Sequence, residues 1–295
     1  MASMRDIKRR KGSIQSTQQI TKAMKLVSTV KLQRAKQRAE QSKTYFDCMY
    51  ETVNSILQKT SGMQHRYLQP GSSAKKAVIV ITSNRGLAGG YNSNIVKLIT
   101  RGELKKEELE IYSIGKKGKD SLSRYGYHIA WDGSDIIEEP AYADAMQLSN
   151  KLLEEFAAGN IGEIYLAYTY FKNTVVHVPK MIKLLPVEAG EQEPVDTDAK
   201  AVQDEEKKLS IPMNFEPKDE EALDLLIPKY ITSLIYGALV EAVASENGAR
   251  MQAMDSATSN AEEMISNLTL LYNRARQGSI TQELTEIIAG AEAIS

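Results

Sequence analysis

The chain has 295 residues, of which 42% are hydrophobic but only 6% aromatic, a balance that suits helices better than a dense all-β core. Its formal net charge of −1 excludes a whole-chain attraction to nucleic acid or to an anionic membrane, leaving only local patches such as "KRRKG" at 8–12. One cysteine, Cys48, excludes an intrachain disulfide and a cysteine-based zinc site, which fits a reducing compartment.

The start "MASMRDIKRRKG" lacks the apolar region of a signal peptide, and no apolar stretch is expected to approach the roughly 18 residues of a spanning helix. A soluble, cytoplasmic chain is expected. From about Ser3 to Thr60 there is no proline and only one glycine, Gly12. Apolar or small residues recur at Leu32, Ala35, Ala39, Ser42, Phe46, Met49, Val53 and Ile56 in alternating steps of three and four, a heptad seam. Residues 1–60 are therefore expected to form an N-terminal coiled-coil helix.

Residues 72–187 change pattern. "KKAVIVITS" (75–83), "LEIYSIG" (109–115), "YHIAW" (127–131) and "GEIYLAYTYF" (162–171) read as strands, separated by helical stretches near 92–102, 116–124 and 141–158. Alternation of strand and helix predicts a small, open, Rossmann-like α/β domain with a sheet parallel in its first part. "TVVHVPKMIKLLPV" (174–187) adds a strand whose Pro179 places it at an edge. Residues 188–218 read as a linker or insert, acidic and poor in apolar residues over 188–210.

The last segment, 219–295, repeats the seam at Met254, Ala257, Ala261, Met264, Leu268, Leu271, Ala275 and Gly278. Pro228 predicts a kink or break in this C-terminal coiled-coil helix. The two terminal segments would be roughly 85 and 105 Å long and need partners along their length. Residues 1–43 sum to roughly +10 and residues 219–295 to roughly −8, so the ends are expected to pair with each other as an antiparallel coiled coil. The fold class is α/β: that coiled coil plus the open sheet domain.

"TSNRGLAGGYNSN" (82–94) follows the first strand and looks at first like a phosphate cradle. Its glycines, Gly86, Gly89 and Gly90, match neither G-x-x-x-x-G-K-[ST] nor G-x-G-x-x-G, and Arg85 precedes them where a P-loop has a lysine after them. A tight turn with glycines at positive φ, or a protein-contact loop, accounts for the spacing better. Catalytic patterns are equally thin. Neither G-x-S-x-G nor H-E-x-x-H occurs, and His65, His128 and His177 are scattered. Glu107–Glu108 and Glu262–Glu263 are neighbours that point about 100° apart on a helix, so each pair reads as a solvated face. Cys48, one position before the seam residue Met49, is expected to be partly buried. No cofactor, metal or nucleic acid is expected.

Equal rise per residue pairs positions whose numbers sum to roughly 274 to 279, so the first helix should run out opposite about Leu271 to Asn273. Beyond it, "RARQGSITQELTEIIAGAEAIS" lacks an intramolecular partner yet keeps Ile280, Leu284, Ile287 and Ile288. A lone helix exposing that stripe needs another protein to enclose it.

The runs "IQSTQQITKAMKLVSTVKLQRA" (14–35), "TSNRGLAGGYN" (82–92), "ASENGARMQAMDSATSNA" (244–261) and "LYNRARQGSITQELTEIIAGAEA" (271–293) closely resemble the γ subunits of bacterial F-type ATP synthases. The likeness is densest at the two ends and weakest over 100–220. Two departures stand out: the family's frequent "TDRGLCGG" reads here with Asn84 and Ala88, and its "RQASIT" has Gly278, which costs about 1 kcal/mol of helix propensity.

The resemblance implies a rotating central stalk with no catalytic residues of its own. Its helical pair would sit within three α and three β subunits, and its α/β domain against the ε subunit and the membrane ring of c subunits. That places it at the cytoplasmic side of the cell membrane, as a peripheral component. Carried over by position, Met24, Arg250, Arg276, Gln277 and Thr281 would contact β. Ile280, Leu284 and Ile287 would form the apolar bearing, and Arg85, Gly86, Leu87, Ala88, Gly89 and Gly90 would face the β lever and ε. Two rivals remain on the residues alone: a coiled-coil adaptor with an α/β head, and a phosphate- or nucleotide-binding enzyme built on the sheet.

Overall fold

The computed structural model describes residues 4–59, 65–187 and 219–292. The acidic stretch 188–218 lies outside the described residues. Two helices dominate: α1, Met4–Lys59, of 56 residues, and α5, Asp219–Glu292, of 74. Between them lie β1 (Lys76–Ile81), α2 (Tyr91–Thr100), a short 3-10 turn (Lys106–Glu108), β2 (Leu109–Ile114), α3 (Lys116–Arg124), β3 (His128–Asp132), α4 (Tyr142–Ala157), β4 (Glu163–Phe171) and β5 (His177–Leu185). The chain divides into two compact units, one of Met1–Thr29 with Arg250–Ser295 and one of Val30–Ala249.

The larger unit is a three-layer α/β fold. Its sheet has the order β3-β2-β1-β4-β5, parallel from β3 through β4 and antiparallel between β4 and β5. The expected strands and the parallel first part are all present. β5 is an edge strand, as Pro179 within it predicts, and Pro179 pairs with Thr169 of β4.

β1 shows why both faces must be covered. Ala77 to Ile81 are completely buried, with Ala77, Ile79 and Ile81 in one core cluster and Val78 and Val80 in another, as the two-residue period requires. The second cluster takes Ile95, Val96 and Ile99 of α2 and Leu122 of α3. The first takes Leu148, Leu152 and Phe156 of α4, but also Val53, Ile56 and Leu57 of α1 and Leu223, Ile227, Ile231 and Ile235 of α5. In this unit the helical pair is thus a layer of the sheet's own core as well as a coiled coil. The predicted α1 seam holds, with Leu32, Ala35, Val53 and Ile56 buried and Ala39, Phe46 and Met49 half-buried; the Ser42 side chain lies outside the described set. Cys48 is exposed rather than partly buried, because the position before a seam residue points away from the seam.

α5 runs through Pro228 as one helix, so of the kink or break expected there the break does not occur. Ile227 and Ile231 on either side are fully packed into the core, and burial of that face outweighs the lost backbone bond. The same helix corrects the reading of hydropathy: it contains an 18-residue window of mean hydropathy 1.4, long and apolar enough to cross a membrane, with 56% of the window buried inside the chain. A helix that is hydrophobic nearly all round fits such a buried layer.

The smaller unit is the antiparallel pair alone. Gln18 Nε2 donates to Glu262 Oε1 at 3.0 Å, the hydroxyls of Thr21 and Thr258 meet at 2.8 Å, and Lys25 pairs with Asp255. Thr21 with Thr258 lies at the upper edge of the expected register, and the other two pairs lie one residue beyond it. The α5 seam differs from expectation. Met254, Ala261 and Leu268 are buried, but Met264 and Leu271 are exposed, and Thr258, Ile265 and Tyr272 take the covered positions between. Steps of four then three from Met254 fit this face, whereas the predicted steps began with three and drifted off it.

Candidate functional site

The glycine loop lies at the carboxyl end of β1, beside β4, where the strand order reverses. Open α/β sheets bind ligands at that position. The polar groups of its stem, at Ser83 and Asn84, are nevertheless engaged within the chain. The Ser83 amide donates to Asn92 Oδ1 at 2.9 Å, and the Ser83 hydroxyl donates to the Arg85 carbonyl at 2.6 Å. The amides opening α3 are capped in succession: Lys116 N donates to Asn84 Oδ1, Lys117 N to the Ser83 carbonyl, and Gly118 N to Thr82 Oγ1, all within 2.9–3.0 Å. A cradle for phosphate needs such amides turned toward the ligand.

The backbone of the loop also departs from the glycine expectation. Positive φ occurs at Gly89 (54°) and at Leu87 (63°), while Gly90 keeps φ −82° as the N-cap of α2. Leucine in the left-handed region is costly, and here its side chain is 62% exposed. Ala88 beside it is buried, and its carbonyl accepts from Tyr91 N at 3.2 Å. Arg85, Gly89 and Gly90 are exposed and Gly86 is half-buried. The loop therefore holds its stem tightly and offers Arg85 and Leu87 outward.

Below the stem, Asp132 accepts from Lys119 Nζ at 2.7 Å and from the amide and hydroxyl of Ser134. The Lys119 bond, then the Ser134 hydroxyl, holds this carboxyl below its usual range. At the edge of the sheet, burial pushes His177 below the usual imidazole range. Its Nε2 has no hydrogen-bond partner among the described residues and lies where a Cβ on Gly248 would come within 2.5 Å. Among the described residues, no three or more His, Cys, Asp or Glu side chains gather as metal ligands do.

In the smaller unit the predicted contact residues fall into two groups. Arg276, Gln277, Ile280, Thr281, Leu284 and Ile287 share the end of α5, where every residue from Ile280 to Ala291 is exposed. Thr281 donates its hydroxyl to the Gln277 carbonyl at 2.9 Å, while Ile280 is 48% and Ile287 67% exposed. Continuing the observed register places Met4 opposite about residue 275, slightly beyond the expected end of pairing. Met24 is half-buried and Arg250 is 9% exposed, so much of the Arg250 side chain is covered by the chain itself.

The sequence reading missed a second apolar surface. Ile20, Leu26 and Val27 on α1 are exposed, as are Met264, Leu270 and Leu271 on α5, while Thr21 and Ser28 are buried. Thr21 and Ser28 thus share the inside of this pair with Met254, Ala261 and Leu268, while several apolar side chains stand among the polar ones outside. The signal was present in the spacing of Ile20, Ala23 and Val27 by three and four, but heptad reading assigns apolar residues to the inner seam.

Comparison with known proteins places the chain in a family. The sequence profile of the ATP synthase family matches residues 3–294. An ATP synthase gamma chain of Lachnoclostridium phytofermentans is 63% identical over 295 residues, covering all of both chains. A sodium ion specific ATP synthase gamma chain of Acetobacterium woodii is 41% identical, covering 99% of each. Among solved structures, a chain from the mitochondrial ATP synthase of Euglena gracilis, in an assembly with OSCP, F1 and the c-ring, aligns with a TM-score of 0.65 at 19% identity. That alignment covers 99% of this chain and 94% of that one, and shows the common fold. By these full-length relationships and its paired terminal helices flanking an open α/β sheet, the chain belongs to the ATP synthase family, among its gamma chains.

Proposed function

We propose that the chain is the rotating central stalk of an F-type ATP synthase. In that role it couples ion movement through a membrane ring to ATP synthesis or hydrolysis at neighbouring β subunits, with no catalytic residue of its own. The observation that carries this reading is the set of apolar side chains that the smaller unit leaves exposed. Ile20, Val27, Leu270 and Leu271 face out while Thr21 and Ser28 take up room on the buried face, and Ile280, Leu284 and Ile287 continue on a helix with no covering partner among the described residues. Such a surface is stable in water only when another protein encloses it.

The partners on this reading are three α and three β subunits around the helices, with ε and the c ring against the α/β unit. The chain is then a peripheral component on the cytoplasmic side of the bacterial membrane. Ile280, Leu284 and Ile287 form an apolar bearing, which permits turning because hydrophobic contact is non-directional. Arg276, Gln277 and Thr281 supply directional bonds to one β subunit at a time. Each of these must be weak enough to break every third of a turn. Met24 and Arg250 meet the moving lower parts of β, Arg250 through its uncovered edge. Arg85 to Gly90 face the β lever and ε, with the Arg85 guanidinium toward acidic groups.

Reconstitution tests this. Mixed with the α and β subunits of the same enzyme, the chain should yield a 3:3:1 ATPase, and Gln277→Ala should lower rotation-coupled ATP synthesis more than it lowers assembly. Complexes that fall apart while the survivors couple normally would remove Gln277 from the coupling role. Failure to form any complex would remove the stalk reading itself.

A further inference from the structure

We propose that the turn joining β4 to β5, residues 172–176, is a second contact element for the acidic segment of a β subunit that the Arg85–Gly90 loop faces. This rests on the reading of that loop as a contact surface and adds to it a neighbouring segment of the same sheet edge.

The fold puts both segments at one end of the sheet. β1 and β4 are adjacent and parallel, so the loop after Ile81 and the turn after Phe171 leave the same edge. Val80 lies beside Ala167, and β4 continues to Phe171. At about 3.3 Å per residue, the turn stands roughly 10 Å beyond the end of β1. Its base is braced: the Phe171 and His177 rings lie 5.7 Å apart across the two strands, and Lys36 Nζ of α1 sits 5.1 Å from the centre of the Phe171 ring. Asn173 closes the turn itself. Its Oδ1 accepts from the amides of Val175 at 2.9 Å and Val176 at 2.7 Å, and its own amide donates to the Val176 carbonyl at 3.3 Å. A turn held in this way loses little freedom on binding.

What the turn displays is apolar. Val175 is 69% and Val176 42% exposed, whereas tight turns favour glycine, asparagine, aspartate, serine and proline. Neither valine belongs to a core cluster, so the fold does not account for two branched apolar residues there. Leu87, also exposed, stands at the same edge. Around these side chains the charge is of one sign. Arg85, Lys172, and Lys116 and Lys117 opening α3 are all exposed, and no carboxylate occurs within 82–94, 115–118 or 172–176. Acidic side chains return after β3, at Asp132 and Asp135, two strands from β1. Exposed valine and leucine among unopposed cations fit a partner surface that is acidic and partly apolar, and continuity with the loop assigns that surface to the same β subunit.

The test follows amide hydrogen exchange over 172–177 and 85–91 in the free chain, after assembly with the α and β subunits of the same enzyme, and with its ε subunit alone. Assembly with α and β should slow exchange at both segments by roughly tenfold or more. Val175→Thr with Val176→Thr keeps the branched shape and should leave thermal unfolding of the free chain within about 2 °C of wild type, yet return 172–177 toward its free rate in the assembly. Lys172→Glu should do the same at low salt, and keeps the test decisive if the threonine pair disturbs the turn. Protection at 85–91 with none at 172–177 overturns the proposal and leaves the contact reading of the loop standing. No protection at either segment overturns both. Protection at 172–177 by ε alone, and not by α with β, overturns the β subunit as the occupant. Protection that survives both variants overturns the role of Val175, Val176 and Lys172.

Discussion

The two compact units use the same pair of helices in opposite ways. Between Val30 and Ala249 the helices bury Val53, Ile56, Ile227, Ile231 and Ile235 in one core with the sheet, so apolar residues point inward and stability is internal. In the unit of Met1–Thr29 and Arg250–Ser295, Thr21 and Ser28 share the buried face with Met254, Ala261 and Leu268, while Ile20, Leu26, Val27, Leu270 and Leu271 are exposed. A helix pair can thus be a folding element along one stretch and leave apolar side chains exposed along the next, with no change in secondary structure. What changes is where its apolar residues find their partners.

The strongest way to break this comparison is to truncate the core of the larger unit. Leu152→Ala, at a completely buried position in α4, should cost about 2–5 kcal/mol in denaturant unfolding of the isolated chain. A loss under 1 kcal/mol would mean that the sheet core does not carry the stability assigned to it.

Gly248→Ala should come next, at about 1–3 kcal/mol, because overpacking against the His177 ring outweighs the gain in helix propensity. The same ring gives a pH dependence. Burial holds the folded pKa of His177 below the unfolded value of 6.5, so its contribution is fully present above about pH 6.5 and is lost as pH falls through the folded value. Thermal unfolding of the isolated chain should therefore show a decline on acidification that His177→Phe flattens.

The polar seam of the smaller unit should respond more gently. Thr21→Val leaves the Thr258 hydroxyl facing a methyl group and should cost about 1 kcal/mol, while the double change Thr21→Val with Thr258→Val should recover most of it. A double-mutant cycle reads that coupling directly. The smallest effect on the isolated chain should come from Ile20→Ser, within about 0.5 kcal/mol, although the same change should weaken assembly with α and β. If Ile20→Ser instead destabilised the free chain strongly, the outward surface would be part of its own core.

Much of the architecture was legible because its period is strong. Five short runs rich in β-branched and aromatic residues gave five strands, and Pro179 correctly marked an edge. The heptad of α1 from Leu32 to Ile56 was read correctly because its members are apolar. The α5 seam was misplaced by one position at Met264 and Leu271, because both are apolar and pattern alone cannot tell an outward apolar residue from an inward one. Pro228 does not break the helix for a similar reason: a local rule about backbone donors knows nothing of the burial on either side of it.

For the loop at 82–94, spacing was enough to argue against a phosphate cradle, but what the loop does instead depended on distant residues. Lys116 and Ser134 meet its stem from 32 and 50 positions away, and no local pattern announces such meetings. His65 likewise finds Asp224, at 3.2 Å, only in the folded chain.

By itself the sequence determined the secondary structure, the antiparallel pairing of the chain ends to within a residue or so, and the existence of an apolar tip without a partner, since all three follow from periodicity, charge and length. Only the tertiary structure decided which apolar residues are core and which are surface. It also decided that the helical pair of the larger unit is a layer of the sheet domain, and which side chains hold the stem of the loop, because these depend on contacts between segments far apart in the chain.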